Sequence, residues 1–332
     1  MPTPPDPPAS GPTADLPGPG SWTVRVPAPS ERQAALSLLL TGRAYGGEAA
    51  VRRFDDYLAR QQLGDALIRT AWAGTRPVAT AAAVLNPGRA AMMFVSRPRS
   101  ARGDRAAVET VRDLIDALPP DRVRLVQALL EPSQSAERRV VAEAGMAELA
   151  VLAYLSRTIE TADRGSAAAR AALTGQGLRL ESWAASRAGA FANAVERSYE
   201  QTLDCPALRG VRPIEDVMAG HRAAGRFDPA KWVLATEADG SPAGVMLLSE
   251  LPTESAGELV YLGIPTAWRR RGIAGRLLRL GVAMLAEAGL SRLLLAVDQS
   301  NAPALGLYRR EGFVPTGRRH AWMRVIGEGV DS

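Results

Sequence analysis

Three segments between Glu258 and Phe313 decide the fold. They are Glu258-Leu-Val-Tyr-Leu-Gly-Ile264, then Pro265-Thr-Ala-Trp-Arg269-Arg-Arg-Gly272-Ile-Ala-Gly275, then Asn301-Ala-Pro-Ala-Leu-Gly-Leu-Tyr308-Arg-Arg-Glu-Gly312-Phe313. The first is short and apolar with a proline behind it, and predicts a strand over 258–264. Beyond the turn, Ile273, Leu277, Leu280 and Met284 fall on one stripe and predict a helix over 272–288. A strand that feeds a Gly-containing, Arg-rich turn at a helix N-terminus makes an anion site, because free N–H groups and the helix dipole both favour negative charge. Gly272, Ala274 and Gly275 leave room for a phosphate against the backbone, and Arg269, Arg270 and Arg271 add countercharge. By itself this signal is weak, since an Arg run is more often a solvated face. The turn holds neither Gly-x-Gly-x-x-Gly nor Gly-Lys-Ser/Thr, which counts against a dinucleotide fold and a P-loop.

Outward from this stretch, the apolar pattern repeats. Pro98 and Pro265 lie 167 residues apart, and so do Gly145 and Gly312; the same offset carries Leu118 onto Leu285, Phe94 onto Tyr261 and Glu131 onto Asp298. A constant offset over this length reads as two copies of one unit, β-α-α-β-β-β-α-β-α-β. In the first copy the strands are 22–26, 66–73, 76–85, 89–95, 123–130 and 147–159. Its helices are 30–40, 48–61, 105–118 and 135–144, the first opened by a capping box from Ser30 to Gln33. In the second copy the strands are 178–184, 231–236, 243–250, 258–264, 292–297 and 318–325, and the helices 188–201, 272–288 and 302–311. The segment 208–227 reads as a loop region. The fold class is α/β with a mixed sheet, in tandem. Domains follow as a Pro-rich, disordered leader (1–20), a first unit (21–160), a linker with a short helix (161–177) and a second unit (178–328).

Composition bounds the rest. The chain has 332 residues, 46% hydrophobic and 23% charged, enough to bury a core and too apolar for a wholly disordered or fibrous protein. No run reaches the roughly 18 apolar residues of a membrane span, and 1–20 lacks the basic and apolar regions of a signal peptide. One cysteine, Cys205, excludes an intrachain disulfide and a Cys-based zinc site. These readings predict a cytoplasmic protein with no metal and no membrane partner. Of 40 Lys and Arg residues only Lys231 is lysine, and the net charge is +5. Acidic residues are interspersed throughout, so no nucleic-acid partner is expected, while a small polyanion would suit. His221 and His320 read as surface or packing residues, Cys205 as a buried or capping residue, and Trp183, Trp232 and Trp322 as core.

At Arg269-x-x-Gly272-x-Ala274 and at Asn301, Ala304, Leu307, Tyr308, Gly312 and Phe313, the sequence resembles the GCN5-related N-acetyltransferase (GNAT) family. The likeness is strong from about 178 to 325, and the first copy follows through the repeat. The resemblance implies two tandem GNAT-like acyl-CoA N-acyltransferase domains. It further implies direct transfer of an acetyl group from acetyl-CoA to a primary amine, an acyl transfer of groups other than aminoacyl groups. It assigns the pyrophosphate to Arg269, Arg270, Arg271, Gly272, Ile273, Ala274 and Gly275, and the pantetheine arm to Leu262, Gly263 and Ile264. A backbone N–H of that strand would polarise the thioester carbonyl. Asn301 matches a CoA-contacting position, and Tyr308 the tyrosine that protonates the leaving thiolate. Glu258, six residues before Ile264, is the first candidate for the base that takes the amine proton, with Glu250 and an ordered water as competitors.

Through the offset, Gly272 falls on Arg105, Arg271 on Asp104, Tyr308 on Val141, Asn301 on Gln134 and Glu258 on Ala91. The first copy is therefore expected to be silent, with one active site in the second. A non-catalytic acyl-CoA-binding or interaction protein is the alternative. The acceptor, a small-molecule or peptide amine, is not legible, and the chain is expected to be a monomer or homodimer.

Overall fold

A computed structural model describes residues 21–60 and 66–327. The leader and the end of the helix expected to reach Gln61 lie outside them. The first half runs β1 (Thr23–Arg25), α1 (Arg32–Thr41), α2 (Glu48–Arg60), β2 (Leu67–Ala73), β3 (Arg76–Asn86), β4 (Ala90–Val95), α3 (Ala101–Asp116), β5 (Leu125–Leu130), α4 (Ser135–Glu143) and β6 (Ala147–Thr158). The second runs α5 (Ser166–Thr174), β7 (Arg179–Ser182), α6 (Ala188–Ser198), α7 (Ile214–Ala223), β8 (Arg226–Thr236), β9 (Pro242–Leu251), β10 (Ala256–Gly263), α8 (Ile273–Glu287), β11 (Arg292–Asp298), α9 (Ala302–Arg310) and β12 (Val314–Val325). The repeat appears at the level of elements: α4 and α9 start and stop 167 residues apart, and so do β6 and β12.

Among the described residues, twelve strands join one sheet, in the order β1-β2-β3-β4-β5-β12-β6-β11-β10-β9-β8-β7. The two halves exchange their last strands. Strand β12 lies between β5 and β6, and β6 lies between β12 and β11. The exchange is symmetric in register: His320 faces Leu130, and 167 residues away Ala153 faces Val297. Neither half closes its own sheet without the other.

Each half has two apolar cores, one on each face of its sheet, as side chains alternate along the strands. In the first half, Leu36, Val51 and Leu58 of α1 and α2 cover Ile68, Ala82 and Val84. On the opposite face, Val111, Leu114 and Val141 of α3 and α4 cover Ala81, Met93 and Val126. In the second half, Phe191, Val195 and Met218 of α6 and α7 cover Trp232, Leu234 and Leu247. The other face packs Leu277, Leu285 and Tyr308 of α8 and α9 on Met246, Leu259, Leu293 and Leu295.

Several expectations change. Segment 208–227 holds α7, not only loop, and β8 and β12 begin several residues earlier than expected. The first helix is capped from Glu31, whose carboxylate accepts from the Ala28 N–H at 2.8 Å, rather than by Ser30 and Gln33. The segment 161–177 holds the expected short helix, α5, but that helix packs on α8 and buries Leu173 completely. Trp232 is fully buried as expected, whereas Trp183 and Trp322 are only partly covered.

Candidate active site

Strands β10 and β11 run parallel and pair for three residues only, Ala256–Glu258 against Arg292–Leu294. Beyond Glu258 the two strands part. A bulge between Leu259 and Tyr261, seen in the pairing to β9, accompanies the split by turning β10 locally. The stretch 259–263 then offers backbone groups on its β11 side to an extended amide-bearing chain, which can pair there as a strand would. Leu262, Gly263 and Ile264 border this gap. Gly263 is required there, because a Cβ would fall 2.3 Å from Ser198 Oγ.

The turn beyond β10 ends on Gly272, which caps α8 with a φ of +77°. That left-handed conformation is costly for any residue with a Cβ. No side chain caps the helix, and its first turn carries no acid, so the N–H groups of Ile273, Ala274 and Gly275 meet a positive dipole end. Arg270 and Arg271 are exposed beside it, the latter stacked 4.7 Å over the Trp268 ring.

Two residues of the turn also have a structural part. The Arg269 guanidinium donates to the carbonyls of Ser198, Glu200, Gln201 and Ile264, at 2.6–3.1 Å, and so fastens the turn to the end of α6. At Gly275 the space of a Cβ is bounded by Glu311 Oε1 at 3.2 Å and Leu307 at 3.5 Å. That glycine lets α9 approach α8.

Asn301 caps α9, accepting from the Ala304 N–H at 3.3 Å. One helical face on, Tyr308 is buried at 8% exposure and packs edge-on against Phe313. Burial, and secondarily the charge of Asp204, pushes its phenol up from the usual range, so it stays protonated at neutral pH. Glu258 comes from the opposite face of the sheet. A Cβ on Gly257 would strike Leu285 of α8, and Leu259 belongs to the α8 core, so Glu258 between them points to the α6–α7 side. Its carboxyl is raised by burial and then by Glu254. The competing Glu250 is ion-paired to both Arg226 and Lys231, which lowers its use as a base. Glu258 and Tyr308 therefore flank the strand split from its two faces.

Sequence reasoning missed the loop that closes the site. The Asp298 N–H donates to Asp204 Oδ1 at 2.8 Å, and the Cys205 N–H to Asp298 Oδ2 at 3.2 Å. Cys205 thus begins a short helical turn in a left-handed conformation, and burial pushes its thiol up to about 12. His221 of α7 lies against the Tyr261 ring, 5.3 Å between centroids, and Tyr261 bonds Ser198 at 2.7 Å. Burial and then the Arg212 charge lower His221 to about 4, so it is neutral at pH 7. His320 instead pairs with Glu148 at 2.6 Å.

The first half shows the same split, β4 and β5 pairing only over Ala90–Met92 and Leu125–Gln127. Its helix differs. Residues from Ala101 on are already helical, and Ser100 caps them by accepting from Gly103 N–H at 3.1 Å. Asp104 stands in the first turn, 3.7 Å from Arg139. A pocket of about 550 Å³ with Arg97, Arg99 and Arg139 opens there, but the N–H groups are partly spent and an acid occupies the dipole end.

A parallel strand split, an uncapped helix N-terminus at its open end and a tyrosine on the next helix define an acyl-CoA N-acyltransferase fold. The comparisons agree. The model of the acetyltransferase (GNAT) family matches residues 198–313, and several of the curated proteins this chain is similar to are mycothiol acetyltransferases. A mycothiol acetyltransferase of Clavibacter michiganensis is 41% identical over 87 residues, 26% of this chain and 28% of that protein. One of Geodermatophilus obscurus is 31% identical over 154 residues, 44% of each chain. The chain thus spans under half the length of these curated relatives. Among solved structures, a GCN5-related N-acetyltransferase from Sphaerobacter thermophilus superposes with a TM-score of 0.55 at 19% identity, over 95% of this chain and 98% of that one. A tandem GNAT protein from the clavulanic acid biosynthesis pathway gives 0.51 at 13%, over 93% and 100%. Both share the fold. Among the described residues no helix is long and apolar enough to cross a membrane, and no group of His, Cys, Asp and Glu gathers as for a metal.

Proposed function

We propose that the chain is an acetyl-CoA-dependent N-acetyltransferase that acts on a small-molecule primary amine, with its one active site in the second half (178–328). The observation that supports this best is the placement of Glu258 and Tyr308 on opposite faces of a strand split that opens toward an uncapped helix N-terminus. The N–H groups of Ile273, Ala274 and Gly275, with Arg270 and Arg271, hold the pyrophosphate. The freed edge of β10 over Leu262–Ile264 holds the pantetheine amides and directs one N–H at the thioester oxygen. Acetyl-CoA brings the activated acyl group. Glu258 takes a proton from the incoming ammonium, so that the amine can form its bond to the acyl carbon. Tyr308, kept protonated by burial, delivers its proton to the sulfur as the carbon–sulfur bond breaks. Proximity within the split supplies much of the rate. The first half (21–160) carries no second site, because Ser100 and Asp104 occupy the helix end and Val141 stands where Tyr308 would.

The relatives' name makes the unacetylated amine precursor of mycothiol the first acceptor to try, followed by amino sugars and free amino acids. Purified protein, acetyl-CoA and this panel, followed by mass spectrometry of the acceptor, test the reading. Acetylated amine formed by the unaltered chain and lost in Tyr308→Phe supports it. Acetyl-CoA binding without transfer to any amine would favour a non-catalytic acyl-CoA-binding protein instead.

A further inference from the structure

The acceptor side of the split has a floor and a far wall, and the wall comes from the other half of the chain. Leu293, Leu295 and Val297 of β11 point into the α8 core, so Leu294 and Ala296 point to the face that holds Glu258. Ala153 and Leu155 of β6 belong to that same α8 core, so Tyr154 between them also points to the Glu258 face. The register puts Leu294 beside Glu258 and Ala296 beside Tyr154. Ala296 is exposed. It lies two residues past the last paired residue of β11, where the strands have already parted. Its methyl group leaves open the space between Glu258 on one side and Tyr154 on the other. Two strand spacings, at least about 10 Å, separate β10 from β6 there. Arg319, exposed on the exchanged strand β12, stacks 5.2 Å over the Tyr154 ring and adds a fork of donors.

We infer that Tyr154, contributed by the first half, and Arg319 form the far wall of the acceptor site, with Ala296 as its floor. The class of acceptor that fits is a primary amine borne on a polar body about 10 Å across that carries hydroxyl or carboxylate oxygens for Arg319. The amine points to Glu258, the oxygens to Arg319, and the body lies over Ala296 along the face of Tyr154. This inference rests on the acetyl-transfer reading above and gives the inactive half a role: its last strand completes the site of the other. The charge of Glu258 is felt at Tyr154, whose phenol burial raises, as two groups facing one space would show.

The test uses the full-length chain with acetyl-CoA and two probes, the unacetylated mycothiol precursor and glucosamine. In Tyr154→Ala the acceptor KM rises about tenfold, while the KM for acetyl-CoA and kcat each stay within about twofold. Tyr154→Phe, which keeps the ring, recovers most of the loss, and Arg319→Ala raises the acceptor KM in the same selective way. An unchanged acceptor KM in Tyr154→Ala would overturn the inference and leave the acetyl-transfer reading standing, as would equal losses for both substrates. If the unaltered chain acetylates neither probe, the acetyl-transfer reading and this inference fall together.

Discussion

The N–H of Asp298 donates to the carboxylate of Asp204 at 2.8 Å, which ties the loop after α6 to the C-terminal end of β11. Burial raises the Asp204 carboxyl against the lowering effect of the bond from the Asp298 N–H, and its charge in turn reaches Tyr308. The bond spans 94 residues and holds one wall of the strand split. Asp204→Ala removes it. Turnover should fall several-fold with little change in overall folding by circular dichroism, whereas Asp204→Asn, which keeps an acceptor oxygen, retains most of the activity.

On the proposed mechanism, Tyr308→Phe removes the proton donor and keeps the ring packed on Phe313. A fall in kcat on the order of a hundredfold is expected, the usual scale of general acid catalysis. The KM for acetyl-CoA stays close to that of the unaltered chain. A kcat unchanged by the substitution would remove Tyr308 from this role.

With Glu258 as the proposed base, that residue sets the acid side of the pH profile. Its folded carboxyl is raised by burial, and it must be ionised to accept a proton. The value of kcat/KM should therefore fall on acidification through a pKa above 4.5, the ordinary value for this group, and Glu258→Gln should abolish that limb. The same shift has a stability consequence. A carboxyl raised on folding stabilises the fold below its unfolded pKa, and that contribution is lost as the pH rises through the folded pKa. Glu258→Gln should thus melt higher than the unaltered chain at pH 7, and the difference should vanish at about pH 4 and below.

Gly272→Ala places a Cβ at φ +77°, 2.8 Å from the Arg276 guanidinium. The left-handed backbone alone costs about 1–2 kcal/mol. Calorimetry should show weaker acetyl-CoA binding and a lower melting temperature together.

The repeat was legible because its offset is fixed by helix stops and strand ends, and α4–β6 and α9–β12 obey it to the residue. The exchange of β6 and β12 was not, because a strand's sequence records which face is buried but not which neighbour it pairs with. Helix α7 was overlooked between Pro213 and Gly225, although Glu215 and Asp216 in its first turn and His221 and Arg222 in its last are charges suited to a helix dipole. The turn at Arg269–Gly275 was found from residue types, yet the fastening of Arg269 to α6 and the packing need at Gly275 depend on segments 32–71 residues away. Asp204, Tyr154 and Arg319 gave no local signal, since each makes its contact with a segment far away in sequence.

The central claim is that one half works and the other does not. Two substitutions test it directly in acetyl transfer: Gly272→Glu, which puts a side chain and a negative charge at the uncapped end of α8, and Ala101→Glu, which puts the same charge at the first residue of the already capped α3. Activity should be largely lost in the first and retained in the second. Activity that survives Gly272→Glu and disappears in Ala101→Glu would contradict it.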